Sequence, residues 1–175
     1  MIRCLALLLL LPLLLGCGGA RIEDFAQTQP KLVLEDYFAG KTRGWGIFHD
    51  RFGNVKRQFV VDIDGTWDGQ TLILDEKFRN ADGTTEGRVW RVKKLTDGRY
   101  EGTAGDVDGV ATGQTAGQAL QWSYYLMLKV EDSTWRVHMD DWMYLQPDGV
   151  LINTTTMSKW GFELGKLSLF FVKNR

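Results

Sequence analysis

The sequence predicts an all-β protein, an antiparallel up-and-down β-barrel of about eight to ten strands. Apolar and polar residues alternate with a period of two through several segments, as Leu72, Leu74 and Phe78 do against Asp75 and Lys77. The pair Asp-Gly, which favours tight hairpin turns, occurs at positions 64, 68, 82, 97, 108 and 148. The composition, with 20 Gly, 7 Trp and 9 Phe against 3 Pro, also favours strands. A closed barrel leaves no exposed sheet edge, and a two-sheet sandwich is the alternative.

Residues 1–16 have the pattern of a lipoprotein signal peptide. Arg3 supplies a positive charge, and the 11 residues Leu5 to Leu15 are apolar apart from Pro12. That run is too short to span a bilayer, which takes about 20 residues. It ends in Leu-Leu-Gly before Cys17, which resembles the bacterial lipobox. The resemblance implies cleavage before Cys17, a diacylglycerol on its sulfur, and a further acyl chain such as palmitate on the new N-terminus. An ordinary secretory signal is the alternative.

Cys17 is then the one cysteine left after cleavage, so no disulfide and no catalytic thiol are expected. Three acyl chains make a stable membrane anchor. Residue 18 is Gly rather than Asp, and by resemblance to envelope lipoproteins this favours the outer membrane, facing the periplasm. Residues 17–30 are weakly patterned and are interpreted as a lipidated tether.

The remaining residues, 31–175, are expected to form the barrel domain. A short helical turn is predicted over Leu32 to Ala39. The predicted strands lie near 43–52, 55–64, 70–80, 85–95, 98–106, 110–115, 118–130, 133–145, 149–158 and 164–173.

The barrel is expected to stand in water rather than in a membrane. The face opposite Leu72 and Leu74 carries Asp75, Lys77 and Arg79, and a cation on a lipid-facing strand costs about 2–4 kcal/mol near the bilayer midplane. The apolar faces are therefore predicted to point inward. The net charge of −1, without a run of Lys or Arg, argues against a nucleic-acid partner.

Charged residues on the apolar faces mark the candidate ligand site. Glu76, Arg88 and Asp141 each lie in register with apolar neighbours, and Trp90 shares the face of Arg88. An unpaired buried charge is costly, so Arg88 is expected to pair with Glu76 or Asp141. The remaining carboxylate would need water, a ligand or a proton. The alternatives are a structural ion pair in a filled core, or a bulge that turns one residue outward.

No catalytic residue, metal site or cofactor is predicted. Glu76 and Asp141 could face each other as in a glycosidase, but two carboxylates alone are weak evidence. His138 and Asp140 offer two metal ligands without a third. The segments 62–65 and 106–109 resemble calcium loops but lack the closing ligands, and are interpreted as hairpin turns. Enzymatic activity is left open, with a non-enzymatic role favoured.

A series of short motifs follows in order along the barrel domain: Phe38-Ala39-Gly40, Trp45-Gly46-Ile47-Phe48, Asp50-Arg51-Phe52-Gly53, Glu76-x-Phe78, Asp82-Gly83, Arg88-Val89-Trp90, Tyr100-x-Gly102, Asp106-x-x-Gly109-x-Ala111 and Asp140-Asp141-Trp142-Met143. Together they resemble a family of bacterial lipoproteins of unknown function. The resemblance implies a lipocalin-like barrel and a role in envelope lipid biology, and it carries no catalytic residue. The Gly-x-Trp of true lipocalins lies in their first strand, whereas Gly65-Thr66-Trp67 comes later here, in an expected turn.

The sequence thus favours a membrane-anchored envelope lipoprotein whose barrel binds an apolar or amphipathic molecule, with a fatty acid or a phospholipid as the expected ligand class. The second hypothesis is a structural or assembly protein of the envelope with a filled core. The third is an enzyme acting on lipid or glycan through Glu76 or Asp141.

Overall fold

The computed structural model describes residues 19–174. The predicted signal peptide over 1–16, the lipidated Cys17 and the Gly18 beside it lie outside these residues and stay predictions.

Ten antiparallel strands form one closed barrel. They are β1 (Gly40–Asp50), β2 (Val55–Trp67), β3 (Thr71–Asn80), β4 (Thr85–Lys94), β5 (Arg99–Thr103), β6 (Val107–Ala116), β7 (Ala119–Val130), β8 (Ser133–Leu145), β9 (Leu151–Lys159) and β10 (Phe162–Lys173). Each strand pairs with the next in sequence, and β10 returns to pair with β1. The predicted up-and-down barrel is confirmed, and the sandwich is not formed.

The Asp-Gly pairs take two different roles. Those at 68, 82, 97 and 148 lie in the connections between strands, as predicted. Asp64-Gly65 and Asp108-Gly109 instead lie inside β2 and β6, so the turn expected at 62–65 is wrong and the turn expected at 106–109 lies earlier, ending at Asp106. Gly109 has φ +77° beside an irregularity in the β6–β7 register, and Gly65 lies directly under a helix. In both places the glycine lies within a strand, at a register irregularity or a close backbone contact, and not in a turn.

The alternating apolar positions point inward, as the period-two pattern predicts. Phe59, Val61 and Ile63 are buried along β2, and Val137 and Met139 along β8. The outer face carries exposed ion pairs such as Arg43 with Asp62.

A short helix closes one end of the barrel. Helix α1 (Leu34–Phe38) is shorter than the predicted turn, because Val33 and Ala39 on either side are extended. Glu35 is buried and accepts hydrogen bonds from Lys94 Nζ and, at 3.0 Å, from Tyr100 Oη. Leu34 and Phe38 face the interior, so α1 forms its floor.

The described part of the predicted tether is packed on the barrel. Ile22–Phe25 is a 3-10 helix with Ile22 buried, and the Phe25 ring lies 5.5 Å from the ring of Tyr144. Thr28 Oγ1 accepts a hydrogen bond from the backbone N of Gln118, in the β6–β7 turn. The segment is therefore held at the end of the barrel that α1 closes.

Candidate functional site

The barrel encloses a cavity of about 660 Å³. Ligand pockets in proteins span about 300–1,000 Å³. The cavity begins at α1 and reaches solvent at the opposite end, where the exposed residues Lys56, Glu86 and Lys129 belong to its lining. Its wall is mainly apolar. The interior is thus not the filled core of the second hypothesis.

The open end, called the mouth below, is formed by the β1–β2, β3–β4, β5–β6, β7–β8 and β9–β10 connections. Large aromatic side chains project there into solvent. Phe52 is 74% exposed, Trp160 86% and Phe162 70%. Their two connections are neighbours, because β1 pairs with β10.

Glycines make room for large aromatic rings in the wall. A Cβ atom on Gly113 would lie 2.2 Å from the Trp122 ring, and one on Gly102 would lie 2.6 Å from it. Trp90 packs edge-on against Trp122 and Tyr124, with ring centroids 5.8 and 5.3 Å apart. The cavity is therefore bounded by fixed aromatic faces, and Trp90 lies in its wall.

Eight charged side chains line the same cavity. Lys56, Arg57, Glu86 and Lys129 belong to its mouth, and three of the other four are the predicted Glu76, Arg88 and Asp141. Glu76 lies on β3 directly opposite Arg88 on β4, and Asp141 lies on β8. The fourth, Asp106, stands in the β5–β6 connection.

The predicted partner of Arg88 is wrong. Its Nε and Nη2 atoms both donate to Oδ2 of Asp106, at 3.0 and 2.7 Å. Within residues 19–174, neither Glu76 nor Asp141 comes within ion-pair distance of it. The long side chain of Arg88 extends toward the mouth, where Asp106 lies in the short β5–β6 connection. Sequence reasoning missed Asp106 because it assigned 106–109 only a hairpin turn.

Asp141 is bound by small polar residues of the neighbouring strand. Thr155 Oγ1 donates to Oδ1 of Asp141, and Asn153 Nδ2 donates to the same atom at 3.4 Å. Burial is the largest effect on the Asp141 pKa and raises it to about 6, although these hydrogen bonds lower it. Period two along β9 places Asn153 and Thr155 on the inward face with Leu151 and Met157, a signal that could have identified them.

Of the four charged residues below the mouth, Glu76 has the fewest hydrogen-bond partners. It is 9% exposed, and its Oε2 atom has no hydrogen-bond partner in the protein. Burial raises the pKa of this carboxyl to about 7, while the charge of Arg88 lowers it and those of Asp106 and Asp141 raise it further. Oδ1 of Asp106 is likewise buried without a partner. Two acceptor atoms at the cavity therefore lack donors.

The described residues contain no group of three or more His, Cys, Asp or Glu side chains placed to hold a metal ion. The sequence-predicted pair His138 and Asp140 is engaged otherwise. His138 Nε2 lies 2.9 Å from Ser123 Oγ, and Asp140 accepts a hydrogen bond from Gln121 Nε2 at 3.2 Å. Over residues 19–174, every helix is too short and too polar to cross a membrane.

Comparison with known proteins supplies a family and a fold. A family model described as "Protein of unknown function (DUF3833)" matches residues 11–173. None of the curated proteins matches the chain significantly. The solved structure of the Rv2717c protein from M. tuberculosis is similar, with a TM-score of 0.61 and 14% identity over 85% of this chain and 99% of that one. The S-type phycobiliprotein lyase CPES from Guillardia theta matches with a TM-score of 0.57 and 10% identity, over 82% of this chain and 94% of the lyase. At 10% and 14% identity, these two similarities bear on the fold alone.

Proposed function

Because this chain belongs to a family of unknown function, the DUF3833 family, we propose its function from the site itself: the barrel binds an apolar or amphipathic, lipid-like molecule in its cavity. One observation carries the proposal, a cavity of about 660 Å³ with a mainly apolar wall and a few buried charged groups. Pockets of this size and lining bury most of a small ligand's surface, while the few polar groups orient it. The fold match to a barrel named as a phycobiliprotein lyase supports such a use of the interior.

The two ends of the cavity give the ligand an orientation. The apolar part fits between the aromatic faces of Trp90 and Trp122 and the floor made by Leu34 and Phe38. Arg88 and Asp106 lie toward the mouth, so a polar head group entering last would meet them. Burying apolar ligand surface stabilises the complex by about 25 cal/mol per Å² removed from water.

Native mass spectrometry of residues 19–175, purified without detergent, tests the proposal. This segment includes all ten strands and the whole barrel core. We expect a bound molecule, or uptake of an added single-chain amphiphile. Leu126→Trp, which enlarges a buried side chain of the cavity wall, should weaken uptake by about tenfold, equivalent to about 1.4 kcal/mol.

Tyr125→Trp is the matched control, because Tyr125 precedes Leu126 on β7 and is exposed on the outer face. It should leave uptake unchanged. A bare mass with no uptake of any amphiphile would refute ligand binding and favour a structural role in the envelope.

We further propose that Cys17 carries the lipid anchor of an envelope protein, and that the outer membrane is the membrane concerned. The support for the anchor is the lipobox-like Leu-Leu-Gly-Cys sequence, and the support for the outer membrane is Gly rather than Asp at position 18. Cys17 precedes Ile22 by five residues, which span at most about 18 Å when extended. Ile22–Phe25 is packed near the closed end of a barrel whose strand β8 alone has 13 residues, about 43 Å of extended chain. An anchor at Cys17 would therefore leave the mouth facing away from the anchoring membrane.

Replacing Cys17 with serine tests the anchor. We expect the full-length wild-type chain, expressed in a double-membrane bacterium, to partition with membranes and to carry the mass of an acylated N-terminus. Cys17→Ser should lose that mass because no sulfur remains to accept the diacylglycerol. Cys4→Ser is the matched control and should remain acylated. An unmodified wild-type N-terminus would refute lipidation and leave the cavity proposal intact.

A further inference from the structure

The charged groups deep in the cavity include more carboxylates than cations. At the mouth, Lys56 pairs with Asp50 and Arg57 with Glu86, and Lys129 also lines the opening. Below the mouth, the three carboxyl groups of Glu76, Asp106 and Asp141 line the cavity together with one guanidinium, that of Arg88. Asp106 already neutralises Arg88 through two hydrogen bonds to one oxygen. The charge that remains for a ligand to meet below the mouth is therefore negative.

The buried side-chain atoms that lack a hydrogen-bond partner also favour a hydrogen-bond donor as the ligand group. Among the described residues that line the cavity, the buried side-chain atoms without a partner are Glu76 Oε2 and Asp106 Oδ1. Both are carboxylate oxygens, which accept hydrogen bonds when ionised and cannot donate them. A buried acceptor left without a donor costs about 1–3 kcal/mol, and more when it is charged.

Among residues 19–174, Arg88 is the one cation that acts on Glu76. Arg88 faces it from β4, Asp106 from the β5–β6 connection, Tyr124 from β7 and Asp141 from β8, while β2 places the apolar Ile63 opposite it. The Tyr124 hydroxyl is buried, and its pKa is raised well above the usual value by burial. It therefore stays uncharged at neutral pH.

From this geometry we propose that the ligand's head group is a hydrogen-bond-donating cation, such as an ammonium group, received by Glu76 and Asp106. The proposal rests on the cavity being a ligand site and narrows the ligand class. Beside Glu76, below the lysines of the mouth, a lone carboxylate, the head group of a free fatty acid, would meet repulsion from Glu76 and Asp141, with Arg88 already paired. A lipid bearing an ammonium group remains compatible with the site. The aromatic walls of Trp90 and Trp122 favour a cation as well, since ring faces attract positive charge.

Three single-chain amphiphiles of equal length test the proposal: tetradecylamine, tetradecanol and tetradecanoic acid. Each displaces a fluorescent apolar probe from residues 19–175, below its micelle concentration, at pH 8. At that pH an alkylamine is still protonated, since the pKa of a primary amine is about 10.4. We expect the amine to bind more tightly than the alcohol, and at least about tenfold more tightly than the acid. Lowering the pH to 5 should reduce this preference, because Glu76 and Asp141 take up protons.

Glu76→Gln tests the residue directly. It removes the charge without changing the shape of the side chain, so the amine's advantage over the acid should fall by about tenfold. Asp75→Asn is the matched control, since Asp75 is the adjacent residue of β3 and lies outside the cavity lining. It should leave the preference unchanged.

The outcomes separate the two proposals. Tighter or equal binding of the acid or the alcohol would overturn the cationic head group while leaving lipid binding in place. The same holds for an amine preference that survives Glu76→Gln. Failure of all three amphiphiles to displace the probe would refute the proposed function, and the head-group inference with it.

Discussion

Replacing Gly65 with alanine is expected to destabilise the barrel by about 3 kcal/mol, at the upper end of the usual cost of forcing extra atoms into a packed site. A Cβ atom at this position would lie 1.8 Å from the carbonyl oxygen of Phe38 and 2.7 Å from its carbonyl carbon. Both are backbone atoms of α1, so no side chain can turn aside to relieve the contact. Either β2 must bend or α1 must move off the barrel end.

Movement of α1 would break the contacts that hold it. Glu35 would lose Lys94 and Tyr100, and the Tyr37 hydroxyl would leave the carbonyl oxygens of Phe171 and Gly149, 3.0 and 3.1 Å away. Because Phe38 and Leu34 form the cavity floor, the variant should also bind ligand more weakly. Urea denaturation followed by tryptophan fluorescence measures the loss in free energy of unfolding.

Gly87→Ala is the control for the strand position itself. A Cβ atom there would meet only the carbonyl oxygen of Glu76, at 3.7 Å, an ordinary contact. Its effect should stay within about 0.5 kcal/mol. If the Gly65 and Gly87 variants were equally stable, α1 would move without a loss in free energy of unfolding. That result would contradict a fixed cavity floor.

The role of Gly65 shows where sequence reasoning stops. The period-two pattern identifies the strands and their inward faces, because each inward side chain must be apolar to be buried. It therefore places Glu76, Trp90 and Asp141 correctly inside the barrel. The contact between Gly65 and Phe38 depends on where α1 docks, and an Asp-Gly pair within a strand has the same local sequence as one in a turn.

The contacts between polar residues of the site could be predicted only in part, because some of them depend on how separate segments pack together. The ion pair of Arg88 with Asp106 depends on how the β5–β6 connection lies over β4, which no spacing along the chain determines. The support that Asn153 and Thr155 give to Asp141 follows from alternation along β9 and could have been inferred. The cavity volume depends on how Trp90 and Trp122 pack across the barrel, and composition does not determine this packing.

The free energy of unfolding is expected to fall as the pH rises from about 5 to 8. The pKa of Glu76 is raised from 4.5 to about 7 and that of Asp141 from 3.8 to about 6, in both cases chiefly by burial. The folded chain therefore holds these protons more tightly than the unfolded chain. Their stabilising effect is fully present below the unfolded-state values and is lost as the pH rises through the folded-state values. Asp50, with its pKa lowered to about 2, acts oppositely but only below about pH 4.

Glu76→Gln should remove much of that dependence. A shift of one pKa unit corresponds to about 1.4 kcal/mol, so the raised pKa of Glu76 implies about 3 kcal/mol of lost stability at pH 8. We expect the variant to be more stable than wild type at pH 8 by about 2–3 kcal/mol, and close to wild type at pH 5. Urea denaturation at both pH values measures this, with Asp75→Asn as the control that should follow wild type. Parallel pH dependence in wild type and Glu76→Gln would show that Glu76 is solvated in the folded barrel.

A buried carboxylate that destabilises the fold is expected to have a functional role. Proteins retain such groups at functional sites, where stability is given up for binding. If Glu76→Gln gains stability and also loses the preference for an ammonium head group, one ionised oxygen accounts for both effects. A cationic ligand would then lower the pKa of Glu76, so its binding should release protons and stabilise the barrel most at pH 8. Thermal unfolding with and without tetradecylamine at pH 5 and pH 8 measures this coupling, and an equal stabilisation at the two pH values would contradict it.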